Sequence, residues 1–252
     1  MNLVVLVLDS FTQNSIRNSK IQKSTWVKDV SNYCEVLFYK GGLETIRSGH
    51  DLLLNCSDSY SDMGIKSLKA FEWVDSNLSY DYIFRTNTSS YVNYKNLINY
   101  LKKIQEEGID YCGYIGDYDG IEYVSGSGII LSEHAIKSII RYKSELDTDI
   151  VEDVAFGKLL KLNDILPIKG KRKDIESHKD IRNIDSDEYH IRCRLDSFGY
   201  SRNLEKYLLN FIFLSFNRKR FFLELIISYL MKLNKFYLKT RRSVKLIISN
   251  YL

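Results

Sequence analysis

Residues 82–93, YIFRTNTSSYVN, join an apolar strand-like ending to a polar cluster, Asn87-Thr88-Ser89, and then to the helix-like run YKNLINYLKKI. A polar cluster at a strand end can hold a phosphate or a cation. Carboxylates there would bind Mn²⁺ or Mg²⁺, whereas amide and hydroxyl oxygens bind those ions poorly without added charge. All three positions are uncharged, so no metal ligand is assigned and no metal cofactor is expected to be required. A phosphate held here would need side-chain cations. The candidates are Arg17, Lys20, Lys66, Arg85, Lys171, Arg172, Arg192 and Arg194. Arginine forks match phosphate oxygens geometrically. Thr86, Asn87 and Ser89 could add hydrogen bonds to a ribose or a phosphate.

A second chemical pair is Glu152-Asp153, at the start of a helix-like run. The helix dipole alone favours acids there, by about 0.3–1 kcal/mol. One such carboxylate could also take the proton of an attacking hydroxyl while the other orients it. Ser125-Gly126-Ser127-Gly128 permits close backbone approach to a ligand or a tight turn into a buried strand; it lacks the Gly-Lys-Ser/Thr ending of a P-loop. Asp117-Tyr118-Asp119 has the spacing of a metal motif, but GDYDG reads as a turn rather than as a displaced metal or acceptor site. His190, in EYHIRCR, is a candidate phosphate contact. Asp9, Ser10, Asp58 and Tyr60 follow strand-like runs and could face a base or ribose, although Tyr60 serves equally as a packing residue.

These groups need a scaffold. Strand-like runs at 3–8, 36–39, 52–54, 82–85, 111–115 and 129–131 alternate with helix-like runs at 16–32, 62–76, 94–106, 133–143 and 151–162. That alternation predicts a three-layer α/β domain with a mostly parallel sheet. Ligands of such sheets bind beyond the carboxyl ends of the strands, where Asp9, Asp58 and Asn87 fall.

The 252 residues suit one large domain with an appendage. The net charge of +4 conceals an asymmetry: residues 201–252 hold 11 Lys and Arg against 2 Asp and Glu. The predicted division is 1–203 for the α/β domain and 204–252 for a basic amphipathic helical tail. The tail pairs an apolar stripe (Phe222, Ile226, Tyr229, Leu233, Phe236) with abundant Lys and Arg. It lacks an apolar run long enough to span a bilayer, and suits either an anionic membrane surface or packing on the body. An acidic body and no recognition motif argue against nucleic acid. Four scattered cysteines fit reduced thiols. The opening run MNLVVLVLDS is too short for a membrane span and lacks signal-peptide flanks. A cytoplasmic, peripherally membrane-associated protein is expected.

Five ordered blocks over residues 3–165 carry a resemblance: IRNSKIQKSTW (16–26), DSYSDMGIKSLKAFEWV (58–74), FRTNTSSYVN (84–93), YVSGSGIILS (123–132) and VEDVAFGKLLKLNDI (151–165). Together the chain resembles the β-1,3-glycosyltransferase family of galactosyl- and N-acetylglucosaminyltransferases and Fringe proteins. The resemblance implies a GT-A fold and inverting transfer of a hexose or N-acetylhexosamine from a UDP-sugar to a glycan or lipid-linked glycan hydroxyl. It implies Asp153 as general base, with Glu152 orienting it or binding acceptor. Asp117 and Asp119 then fall in an acceptor-side loop. The family's aspartate metal motif is Asn87-Thr88-Ser89 here, which departs from its pattern. The alternative is an inactive GT-A domain that binds a glycan or nucleotide within an assembly complex.

Overall fold

The computed structural model describes residues 1–30, 33–176, 180–196, 199–216 and 229–237. Most of the basic tail, including Phe222, Ile226, Arg218–Arg220 and residues 238–252, lies outside the described residues, as does His178.

The chain opens with β1 (Leu3–Leu8), α1 (Gln13–Ser24), α2 (Trp26–Val30), β2 (Glu35–Gly42), β3 (Ile46–Ser48), β4 (Asp51–Asn55) and α3 (Met63–Asn77). Next come β5 (Tyr82–Asn87), β6 (Ser90–Val92), α4 (Tyr94–Glu106), β7 (Tyr111–Tyr118), β8 (Ile121–Ser132), α5 (Glu133–Arg141) and α6 (Glu152–Lys161). The short strands β9 (Ile168–Lys169), β10 (Lys173–Asp174) and β11 (His190–Arg192) precede α7 (Glu205–Phe216).

Eight strands form one sheet in the order β3-β4-β2-β1-β5-β8-β7-β9. Its centre is β1, LVVLVL, apolar at every position because both faces are covered. Leu3, Val5 and Val7 enter a core with Phe38, Phe84, Leu97 and Leu208. Val4 and Leu6 enter the opposite core with Leu37, Phe71, Ile136 and Phe156. The strand's two-residue side-chain period thus builds three layers.

The sheet is mixed, not mostly parallel. β1, β2, β4 and β5 run parallel, but β8 is antiparallel to both β5 and β7, and β3 is antiparallel to β4. The reversal comes from Asp119-Gly120, the two-residue loop between Tyr118 and Ile121. Both residues have positive φ, 50° and 77°, as a tight hairpin turn requires. Asp117 and Asp119 therefore sit at a hairpin tip, and Ser125-Gly126-Ser127-Gly128 lies within β8 as strand, not as a turn.

The helix-like run 16–32 divides into α1 and α2 at Thr25 (φ −118°, ψ −111°). The small sheet β10-β11-β6 closes one side, pairing Arg192 with Ser90. The chain passes the expected 203/204 boundary without leaving this core: Leu204, Leu208, Leu209, Phe211 and Ile212 are all buried in it.

Candidate active site

A cleft of about 330 Å³ opens beyond the carboxyl ends of β1 and β5. In-register pairing of Leu8 with both Tyr39 and Asn87 brings these strand ends level. The cleft gathers Asp9, Ser10, Asp58, Tyr60, Lys66, Arg85, Asn87 and Ser89 with Ser125, Gly126, Ser127, Glu152, Asp153, Arg192 and Arg194.

Its floor is a buried ionic network. Arg85 Nη2 donates to both Glu152 oxygens, at 2.7 and 2.5 Å, and its Nε donates to Tyr39 Oη at 2.9 Å. Ser67 Oγ donates to the same carboxylate. Burial lifts the Glu152 carboxyl above its ordinary range, against the pull of Arg85 and Ser67. Burial opposes charge on Arg85, but Glu152 and Tyr39 outweigh it and hold the guanidinium protonated. Arg85 is thus already neutralised by Glu152 rather than presented as an unpaired cation.

Asp153 is next along α6. Its Oδ2 accepts from Gly126 N at 2.9 Å, and its Oδ1 accepts from Val154 N at 3.1 Å. A Cβ at Gly126 would lie 2.8 Å from Arg85 Nη1, so any larger residue there would have to displace that guanidinium. The other cleft carboxylates are committed. Asp58 accepts from Lys66 Nζ (2.6 Å), Gly41 N and Phe11 N (both 3.0 Å). Burial opposes its charge, but these donors hold its carboxyl below the usual range. Asp9 accepts from Ser10 N and Ser15 Oγ, with Lys40 Nζ 3.8 Å away. Among the described residues, Asp153 is the cleft carboxylate with no salt bridge.

The 87–90 turn is held from below by α1. Gln22 Nε2 donates to the carbonyls of Asn87, Thr88 and Ser90. Ser15 Oγ lies 3.0 Å from Thr88 Oγ1. Ser15, Asn18, Ser19 and Gln22 form a buried polar stripe along α1. Asn87 Oδ1 accepts from Ser89 N, Ser89 Oγ and Ser90 Oγ, so the oxygen a cation would need is already engaged. Among the described residues, no three His, Cys, Asp or Glu group as metal ligands. The side chains at this turn, Asn87, Thr88 and Ser89, offer amide and hydroxyl oxygens and no carboxylate.

Arginines occupy the opposite wall. The antiparallel pairing of β11 with β6 carries Arg192 to the cleft, and Arg194 follows, with Nε 3.0 Å from Asp196 Oδ1. Burial, with Arg172 nearby, lowers the Arg192 pKa, and its Nε is buried with no partner. Sequence reasoning missed Arg202, which also lines the cleft. Its fork binds Glu205, a buried acid that also accepts from Asn18 Nδ2 at 2.7 Å and Leu195 N at 3.2 Å. The only sequence signal was an Arg-x-x-Glu spacing at a helix start.

Other candidates lie elsewhere. Arg17 is bound to Asn203 at 2.7 Å, and Lys20 faces a separate surface recess. Lys171 pairs with Asp187. Arg172 sits behind the wall, donating to Ser127 Oγ at 2.8 Å and stacked on Tyr114. Thr86 is buried, donating to the Ser127 carbonyl at 2.6 Å. Asp117 and Asp119 stay at their hairpin tip, outside the cleft lining. His190 is 1% exposed, 3.0 Å from Ser90 Oγ and edge-on to Phe84. Burial, reinforced by Arg172 and Arg192, drives its pKa well below 6.5. It is a neutral core residue, not a phosphate contact.

No family model and no curated protein sequence matches the chain. In structure it is similar to a glycosyltransferase involved in the glycosylation of the major capsid of PBCV-1, with a TM-score of 0.53 and 13% identity. That alignment covers 83% of this chain and 98% of the other. A197 from STIV aligns more loosely, with a TM-score of 0.40 and 12% identity over 68% of this chain and 82% of that one. The chain therefore has the α/β fold of a glycosyltransferase structure; fold alone does not assign a reaction.

Proposed function

We propose that the protein is an inverting glycosyltransferase that moves a hexose or N-acetylhexosamine from a UDP-sugar to a glycan hydroxyl without a divalent cation. The observation that carries this reading is Asp153, a half-buried carboxylate with no salt bridge among the described residues, in a cleft also lined by Arg192, Arg194 and Arg202. Asp153 takes the acceptor hydroxyl proton as that oxygen bonds to the anomeric carbon. The bond from the anomeric carbon to the diphosphate breaks, and its electron pair leaves on UDP. Arg192, Arg194 and Arg202 line the cleft although each also has an acidic partner (Asp174 at 4.0 Å, Asp196 at 3.0 Å and Glu205 at 2.8 Å), and they meet the charge that develops there in place of a metal. Asp9, Ser10 and Asn87 offer polar contacts for the nucleoside end. A GT-A assignment and β-1,3 linkage rest on the sequence resemblance. The exposed face of the helix at 229–237, with Tyr229, Leu233, Tyr237, Lys232 and Lys235, supports peripheral contact with an anionic membrane.

Calorimetric titration of UDP, first with excess EDTA and then with Mn²⁺, tests the reading. Equal binding in both is expected, followed by turnover on a UDP-sugar panel. Binding only with Mn²⁺ overturns the metal-free mechanism. No binding under either condition removes the UDP-sugar donor and favours the inactive scaffold.

A further inference from the structure

A second recess, of about 210 Å³, adjoins the cleft and shares Tyr60, Met63, Val151 and Glu152 with it. Its far wall is the start of α3, at Gly64 and Ile65, facing the loop that carries Asp147 and Asp149. The two cavities differ in charge. The main cleft is lined by Lys66, Arg192, Arg194 and Arg202 as well as its acids. Among the described residues, the recess lining holds no lysine or arginine; its charged groups are Asp147, Asp149 and Glu152. Glu152 is bound by Arg85, and Asp147 by Lys158 at 2.8 Å.

We propose that this recess is the acceptor subsite and that it takes a neutral pyranose at the end of an uncharged glycan. The inference rests on the transferase reading above and adds the acceptor class to it. A pyranose has an apolar C–H face and a rim of hydroxyl donors. Tyr60, 76% exposed at the junction of the two cavities, supplies a ring for that face. The aspartates accept hydroxyl hydrogen bonds. A uronate or sugar phosphate meets Asp149 as like charge, Asp147 being already paired with Lys158. Val151 and Glu152 form the shared wall and Asp153 is the next residue, so a hydroxyl reaching over Val151 into the main cleft arrives at the proposed base.

The test is saturation-transfer NMR on the full chain with UDP present, using methyl β-D-galactopyranoside and methyl β-D-glucopyranoside, with methyl β-D-glucuronide as the charged control. The Gly64→Phe variant adds bulk at the recess wall, where a Cβ meets nothing within 4 Å and the substitution is sterically tolerated. Ile65→Trp adds bulk from the next position. A neutral-pyranoside signal is expected in the wild type and is lost in both variants, with UDP affinity retained. A signal that survives both variants, or a glucuronide signal as strong as the neutral ones, overturns the subsite. UDP binding with no pyranoside signal overturns the subsite alone; no UDP binding overturns the donor reading with it.

Discussion

Arg85 and Glu152 form a forked ion pair in which each side chain is only 2% exposed. One lies near the end of β5 and the other is the first residue of α6. Their bond ties the helix that carries Asp153 to the strand that forms the cleft floor, and Gly126 on β8 then receives Asp153 Oδ2.

Breaking that pair from one side leaves a buried charge unpaired. Arg85→Met or Glu152→Gln is expected to cost about 3–5 kcal/mol, and the double variant less than the sum of the two. Urea unfolding of the four proteins measures the coupling. Additive losses would mean that the two side chains do not act as a pair.

Asp153 is the proposed base, and among the described residues it has no salt bridge to lose. Asp153→Asn is expected to lower transfer by about 10²–10⁴-fold, with UDP affinity and thermal midpoint close to wild type. Single-turnover transfer and calorimetry separate the two effects. Unchanged transfer would move the base elsewhere.

The arginine wall is expected to recognise diphosphate. Arg194→Ala and Arg192→Ala should each weaken UDP by roughly 10–100-fold, the loss of a charge-assisted hydrogen bond of about 1.5–3 kcal/mol. Uridine alone should bind both variants as it binds the wild type. Competition titrations with UDP and uridine at constant salt make the comparison. Equal losses for both ligands would point to a folding defect.

His190 stays neutral in the fold because burial penalises its charge. The unfolded chain takes up that proton near pH 6.5, while the folded chain takes it up only at lower pH. Between those two values the unfolded state binds more protons, so stability falls as pH falls, with a slope that steepens below pH 6.5 as the unfolded histidine becomes fully protonated. His190→Asn should show a shallower loss of stability than the wild type between pH 6.5 and 5.5. Parallel slopes in urea unfolding would mean that His190 does not control this window.

Much of the framework was legible in local pattern. The apolar run 3–8 is β1, and the acidic pair at 152–153 opens α6, because these features depend on near-neighbour periodicity and on the charge preference of a helix start. The buried stripe of α1 was not legible. Serine, asparagine and glutamine at helical spacing read as a solvent face, yet Gln22 is fully buried beneath the 87–90 turn. A polar side chain pattern does not reveal whether its partner is water or a carbonyl from a distant strand.

The sequence by itself determined the layers, the order of the central elements and the residue types near the strand ends. Tertiary structure decided strand direction, because an apolar run of a few residues is the same read parallel or antiparallel. It also decided which cations reach the cleft. Arg17 and Lys20 turn away, while Arg192, Arg194 and Arg202 arrive by the pairing of β11 with β6 and by the buried anchor at Glu205. Hydrogen bonds between segments about a hundred residues or more apart in the chain choose among arginines that are chemically identical in sequence.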